Sequence, residues 1–267
     1  MPLVPVLSNI EKNGVLIDST QLNNLSKELE ESLQDIQKKC FKLTKKEFNL
    51  NSPKQLQEIL YKDLEIPITK KTPTGKPSTD EDTLQFLAQS HKLPALILDY
   101  RSLNKLKTGY TDKLPLLVCK KSGRIHTSYQ QAITATGRLS STEPNLQNIP
   151  IKSSQGRKIR NAFIAEPGKK IFAADYSQIE LRIMAHLSND SNLLKTFNNN
   201  IDVHSFTASE IFNIDLNEVS SENRRAAKAI NFGLIYGMSS FGLSKQLGIS
   251  IPDAKDYMDI YFKRYPE

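Results

Sequence analysis

Two short stretches set reactive side chains where a ligand can use them. In "KKIFAADYSQIELRIMAHLS", Lys169 to Ser188, an apolar run, Ile171-Phe172-Ala173-Ala174, leads into a carboxylate, Asp175, and then Tyr176. A carboxylate at the end of a buried strand suits a hard divalent cation. Mg²⁺ usually takes one or two carboxylates together with phosphate and water, so Asp175 alone would hold it only loosely. In "RRAAKAINFGLIYG", Arg224 to Gly237, the functional types recur every four residues. Four residues on a helix drift by about 40°, so Arg224, Lys228, Phe232 and Tyr236 make one slanting stripe about 120° wide. Two cations in line with two aromatics fit a ligand that has an anionic tail and a flat ring. A nucleoside triphosphate is such a ligand: cations for phosphates, Phe232 for sugar and base, Tyr236 toward the base pair. The competing reading is a half-buried helix whose cations snorkel to water.

The elements that would carry these groups follow from pattern. Leu22, Leu25, Leu29, Leu33 and Ile36 recur at three- and four-residue steps, which predicts a long amphipathic helix. Ser52-Pro53-Lys54-Gln55 predicts a second helix, with Ser52 as cap, Pro53 at the first position and Gln55 completing a capping box. "PITKKTPTGKPSTDEDTLQFLAQ" reads as an exposed, flexible basic loop ending in another capping box, Ser78 to Glu81. A helix through "ALILDYRSLNKLKTGY" should end near Gly109, with Arg101, Lys105 and Lys107 on a basic face. After about residue 115 the pattern changes. "GRIHTSYQQAITATGRLSS" predicts strands and turns, "PNLQNIP" a polar loop, and "KKIFAADY" a short buried strand running into a helix over "QIELRIMAHLS". From about Val203 onward helical spacing returns.

Composition bounds the rest. The 267 residues are 38% hydrophobic and 24% charged, the profile of an ordinary globular protein, and no apolar run approaches the roughly 20 residues of a membrane span. Cys40 and Cys119 stand far apart without metal-site spacing, which argues against a disulfide framework or zinc cluster and for reduced thiols in a cytosol. The net charge of +7 is uneven: residues 36–124 hold 18 Lys/Arg against 9 Asp/Glu, whereas 1–35 hold 2 against 6. A basic middle segment suits a phosphate backbone, and equally a solvated lysine-rich face.

Taken together in this order, "TATGRLSSTEPNLQNIP" (Thr134 to Pro150), Ala174 to Ser188 and Arg224 to Ser239 resemble the polymerase region of family A DNA polymerases, the bacterial DNA polymerase I type. The likeness extends through "PLVPVLSNIEKNGVLID" and "LDYRSLNKLKTGYTDKLP" to essentially the whole chain. It implies an α+β, mostly helical right-hand architecture: helical thumb (1–115), first part of an antiparallel palm (116–200) and first part of helical fingers (201–267). It also implies template-directed addition of a deoxynucleoside triphosphate to a primer 3′-OH in repair and gap filling. Primer–template DNA and deoxynucleoside triphosphates would be the partners, Mg²⁺ (two ions) the cofactor, and a monomer in the bacterial cytoplasm, associated with the nucleoid, the expected form.

Carried over by position, the resemblance makes Asp175 a metal-binding aspartate, helped by the Tyr176 carbonyl. Glu180 becomes the steric gate near the sugar C2′, hydrogen-bonded to Tyr236. Gln178, His204, Arg224 and Lys228 join the nucleotide set, with Phe232 facing the sugar. Arg138, Asn145 and Gln147 would touch the duplex through the minor-groove acceptors that correct base pairs share, and Tyr100, Lys105 and Lys107 would lie along its backbone. Lys152 stands where many family members have arginine, which keeps the charge and loses the bidentate fork. Two-metal phosphoryl transfer needs a second carboxylate, with the ions about 3.5–4 Å apart. The family supplies it within a His-Asp-Glu turn, and this chain has no His-Asp dipeptide. The second acid is therefore expected beyond Glu267, and the chain alone is expected to polymerise negligibly and to expose an apolar palm edge. The rival from another class is a non-catalytic nucleic-acid-binding protein on a polymerase scaffold.

Overall fold

The computed structural model describes residues 2–151 and 153–267, and they form two compact units divided between Phe172 and Ala173.

The first unit opens with α1 (Leu3–Asn13), β1 (Leu16–Ile17) and α2 (Ser19–Thr44). Gly14 ends α1 at φ +60°, and a Cβ there would meet the Ile125 carbonyl at 2.6 Å, so only glycine lets Val15 form its bridge to Ile125. Asp18 caps α2 by accepting from the Gln21 N–H at 2.8 Å. The helix is about 39 Å long at 1.5 Å per residue, and it buries the predicted Leu22, Leu25, Leu29 and Leu33. Its two ends serve different cores. Leu22, Leu25 and Leu29 pack with Ile17, Leu106, Leu114, Ile125 and Ile159. Cys40 packs with Leu56, Leu60, Leu84 and Ile97, which belong to the helical arm that follows.

That arm consists of α3 (Pro53–Glu58), continued by a π turn over Ile59–Asp63, then α4 (Glu81–Ala88) and α5 (Lys92–Leu106), continued by a π turn over Lys107–Thr111. Two capping predictions need correction. Ser52 does cap α3, but the Gln55 side chain accepts from the Asn49 N–H at 2.6 Å rather than closing a box. The cap of α4 is Asp80, which takes the Thr83 N–H at 2.8 Å, while Ser78 accepts from the Asp80 N–H at 3.1 Å. A carboxylate one turn ahead outcompetes the serine for the first free N–H groups. The basic loop is also held more tightly than expected. Thr72 and Lys76 close a turn at 2.7 Å, and Gln57, Tyr61 and Arg101 donate to the carbonyls of Pro77, Ser78 and Thr79. Arg101 thus clamps this loop instead of standing on an outward basic face.

The remaining elements of this unit are β2 (Ser128–Gln130), β3 (Ser140–Thr142), α6 (Ser154–Asn161) and β4 (Phe163–Ile164). β1 pairs antiparallel with β4 and β2 antiparallel with β3. Mostly helical, with small antiparallel sheets, the chain is α+β as expected.

The second unit is helical: α7 (Ile179–Ser188), α8 (Ser191–Asn198), α9 (Val203–Phe212), α10 (Ser221–Ile235), α11 (Ser240–Leu247) and α12 (Ile251–Arg264). Leu181, Ala185, Leu193, Val203, Ile211, Ile230, Leu234 and Tyr261 share one core, so α7 and α8 pack with the later helices. The predicted buried strand ahead of α7 is not formed. Residues 171–176 run as irregular backbone, with Ile171 62% and Phe172 89% exposed. Among the described residues no strand pairs with them, and an extended apolar segment without ladder or cover gains neither hydrogen bonds nor burial.

Candidate functional site

The groups expected to meet a triphosphate all lie in the second unit, on α7, α9, α10 and the turns before them. Gln178 enters α7 at φ 53°, ψ 36°, a left-handed conformation that costs an L-residue roughly 1–2 kcal/mol. This sharp turn separates the exposed Asp175–Tyr176 segment from the helix that carries Glu180. Glu180 accepts a hydrogen bond from the Tyr236 hydroxyl at 2.8 Å, tying the start of α7 to the C-cap of α10. Arg182, two residues further along α7, lies with its guanidinium 4.6 Å from the Phe197 ring centroid and donates through Nε to the Ser177 carbonyl at 3.1 Å.

On α10 the predicted stripe is real in three dimensions. Arg224 and Lys228 are exposed, Phe232 is half-buried, and Lys228 Nζ stands 5.9 Å from the Phe232 ring centroid. Phe232 in turn packs on His204 of α9, with ring centroids 5.6 Å apart. The stripe therefore does not end as a row of snorkelling cations; it folds onto a buried imidazole.

Asp202, which sequence reasoning passed over, organises this corner. One carboxylate oxygen caps α9 through the Ser205 N–H at 2.8 Å. The other receives Arg224 Nη2 at 2.6 Å and Nε at 3.3 Å, and Gln178 Nε2 at 3.4 Å. Burial pushes the Asp202 carboxyl up, but the Arg224 hydrogen bond, the Ser205 N–H and the Arg224 charge outweigh it and leave the group below its usual range. The available signal was Asp202 standing immediately before an apolar-periodic helix, the position of an N-cap. Asn231 was missed too: it is fully buried on α10 between Ala227, Ile230 and Leu234, where an amide needs partners.

His204 is 2% exposed. Burial holds its imidazole down to about 4 from the ordinary 6.5, with Arg224 and Lys228 adding to the effect and Asp202 opposing it. At neutral pH the ring is uncharged, with one N–H and one bare nitrogen, and adds no third cation to the corner.

The expected duplex-facing groups lie in the first unit and are more dispersed. Arg138, Asn145 and Gln147 are exposed on the loop around β3. Asn145 Oδ1 accepts from the Gln147 N–H at 3.0 Å, and the Arg138 carbonyl accepts from Thr134 Oγ1 at 2.6 Å. The loop is anchored from below by the buried Thr127–Ser141 hydroxyl pair at 2.7 Å and by Tyr110, which donates to the Asn148 carbonyl. Lys105 is exposed on α5, whereas Lys107 pairs with Asp112 at 2.8 Å and Glu30 at 3.4 Å. Tyr100 packs on the core of the helical arm. Lys152 lies outside the described residues. His126 bridges the Glu11 carbonyl and Ser122 Oγ, each at 2.7 Å, a structural role.

Among the described residues no three His, Cys, Asp or Glu side chains stand close enough to hold a metal ion. Asp175 is an exposed carboxylate that supplies at most part of one. No helix of the described residues is long and apolar enough to cross a membrane.

Comparison with known proteins supplies the context for this arrangement. Residues 19–267 match the family described as DNA polymerase family A. The chain is 56% identical over 267 residues to DNA polymerase I of Pseudomonas aeruginosa, covering 100% of this chain and 29% of that protein. It is 46% identical over 266 residues to DNA polymerase I of Geobacillus stearothermophilus, covering 99% and 30%. Among solved structures it is similar to the POL domain of Pol1 from M. smegmatis in complex with DNA primer-template and dNTP, with a TM-score of 0.89 and 45% identity over 99% of this chain and 47% of that one. The chain thus spans about three tenths of the length of these curated relatives. The family match over nearly all its residues, together with identities of this size, places it: the chain belongs to DNA polymerase family A.

Proposed function

We propose that this chain is the nucleotide-binding and part of the duplex-binding portion of a DNA-directed DNA polymerase that extends a primer with deoxynucleoside triphosphates. The observation that carries the reading is the convergence in the second unit of Arg224, Lys228, His204 and Phe232 beside the Glu180–Tyr236 hydrogen bond. In this reading Arg224 and Lys228 bind the triphosphate as charge-assisted donors. A guanidinium has five N–H groups, so Arg224 can hold Asp202 and still donate to phosphate. Phe232 lies against the sugar. Glu180, fixed by Tyr236, fills the space that a ribose 2′-hydroxyl would need. Arg138, Asn145, Gln147, Lys105, Lys107, Tyr100 and Lys152 serve the primer–template, mostly by contacts that position the duplex without reading its sequence.

We assign residues 1–115 to the thumb, 116–200 to the palm and 201–267 to the fingers, and expect a monomer working in the bacterial cytoplasm, at the nucleoid. Mg²⁺ enters through Asp175 and the Tyr176 carbonyl, which suit a hard cation that takes most of its ligands from water and phosphate. These two groups do not by themselves complete its site.

The test is equilibrium titration of the chain with a labelled deoxynucleoside triphosphate and, separately, with a primer–template at two salt concentrations. Arg224→Ala combined with Lys228→Ala should abolish measurable triphosphate binding, and duplex binding should weaken steeply with salt. Equal triphosphate affinity in parent and double variant would sink the reading.

A further inference from the structure

Asn231 is fully buried in the middle of α10. Asparagine is a poor helix-interior residue because its amide competes for backbone hydrogen bonds, and a buried amide without partners costs free energy. Its environment shows why it is tolerated. The Thr207 hydroxyl donates to Asn231 Oδ1 at 3.2 Å, and Asn231 Nδ2 lies 2.9 Å from His204 Nδ1. All three side chains are at most 2% exposed. They form one polar chain across the α9–α10 interface, set in an otherwise apolar core.

The chain has a direction. As placed, the Thr207 hydroxyl donates to the amide oxygen, which leaves the amide N–H facing Nδ1. A nitrogen that accepts a hydrogen bond carries no proton, and a neutral imidazole has only one to place. We infer that Asn231, oriented by Thr207, is a positioning residue that locks the imidazole of His204 as the Nε2–H tautomer, giving the triphosphate one neutral, fixed N–H donor. The inference rests on the nucleotide reading above for the identity of the acceptor, though not for the tautomer itself.

The alternatives show what the lock contributes. A free imidazole divides its proton between two nitrogens and takes up a second near pH 6.5. His204 has Asp202 just before it on its own element and Arg224 and Lys228 facing it from α10. Beside those two cations a protonated ring would compete for the same phosphate oxygens and repel its neighbours. With the Nε2–H form locked, triphosphate binding should not change through protonation of this ring from about pH 5.5 to 8, since the folded group ionises only near 4.

The first measurement is long-range ¹H–¹⁵N correlation of the imidazole nitrogens in the ¹⁵N-labelled chain, with His204→Gln identifying the resonances. A protonated Nε2 and bare Nδ1 are expected, unchanged across that pH range; the Nδ1–H tautomer, or titration near 6.5, would overturn the inference. Thr207→Val keeps the side-chain shape and removes the hydroxyl, and it should give a mixture of tautomers with circular dichroism unchanged. An unaltered tautomer in this variant would remove Thr207 from the relay. Asn231→Asp sets a carboxylate against Nδ1 and should draw a proton there, so that the ring titrates above 6.5 and triphosphate binding becomes pH-dependent; a ring that stays neutral at pH 6 in this variant would contradict the relay. Triphosphate affinity of Asn231→Ala should fall about tenfold, the scale of one hydrogen bond to a charged group. If His204→Gln binds triphosphate as the parent does while the tautomer is as stated, the nucleotide reading fails and the relay stands.

Discussion

At the scale of single residues, the second unit joins groups that differ in charge state but meet at one corner. In the proposed reading Glu180, held by Tyr236, stands on the sugar side: Glu180→Ala should then bring the affinities for ribo- and deoxynucleoside triphosphates toward equality, and an unchanged ratio would remove Glu180 from that role. Stability should move little, because the 2.8 Å bond joins partly exposed groups and such bonds contribute about 0.5–1.5 kcal/mol. His204 gives a pH prediction. Its folded value, near 4, is below its ordinary 6.5. The unfolded chain therefore binds a proton in that window which the folded chain does not, and the contribution is fully present above 6.5 and declines as pH falls toward 4. His204→Gln lacks that loss, so its urea-midpoint deficit relative to the parent should narrow on going from about pH 7 to about 4.5. A constant deficit would mean that the ring is not held neutral.

At the scale of elements, helix ends and helix faces make separate predictions. Asp202 both caps α9 and pairs with Arg224. Asparagine preserves the cap and alanine does not, so Asp202→Ala should be less stable than Asp202→Asn by about 1 kcal/mol. The ion pair is 36–44% exposed at its side chains, a setting in which such pairs contribute ~0–1 kcal/mol. Equal urea midpoints for the two variants would show that the cap does not hold in solution. Along α2, Leu29→Ala removes a fully buried side chain and should cost about 2–5 kcal/mol. The predicted face of α2 was legible because five apolar residues repeat at helical spacing. The competition between Ser78 and Asp80 for the start of α4 was not, since both types cap well and only the backbone path decides which one reaches the free N–H groups.

At the scale of the whole molecule, the bond after Lys170 lies in exposed, irregular chain just before the division between the two units. Brief digestion with trypsin should cut first there and leave both units resistant; first cuts within α2 or α10 would contradict the division. Ile171 and Phe172, next to that bond, expose apolar surface of the kind that promotes association. Phe172→Ser should raise the soluble fraction on concentration without moving the thermal midpoint.

What the sequence determined by itself is local and periodic: the helix faces, the Ser52 cap, the β2–β3 region, and the slanting row Arg224, Lys228, Phe232, Tyr236, because spacing along a helix fixes which side chains are neighbours. Only the tertiary structure decided which of these groups meet across elements. Glu180 finds Tyr236, Arg224 finds Asp202, and His204 is buried against Asn231 and Phe232. It also decided that residues 171–176 lie uncovered among the described residues. These outcomes depend on long-range packing of α7, α9 and α10. A side chain's charge and hydrogen-bond role follow from the neighbours that packing brings to it, and those neighbours are distant in sequence.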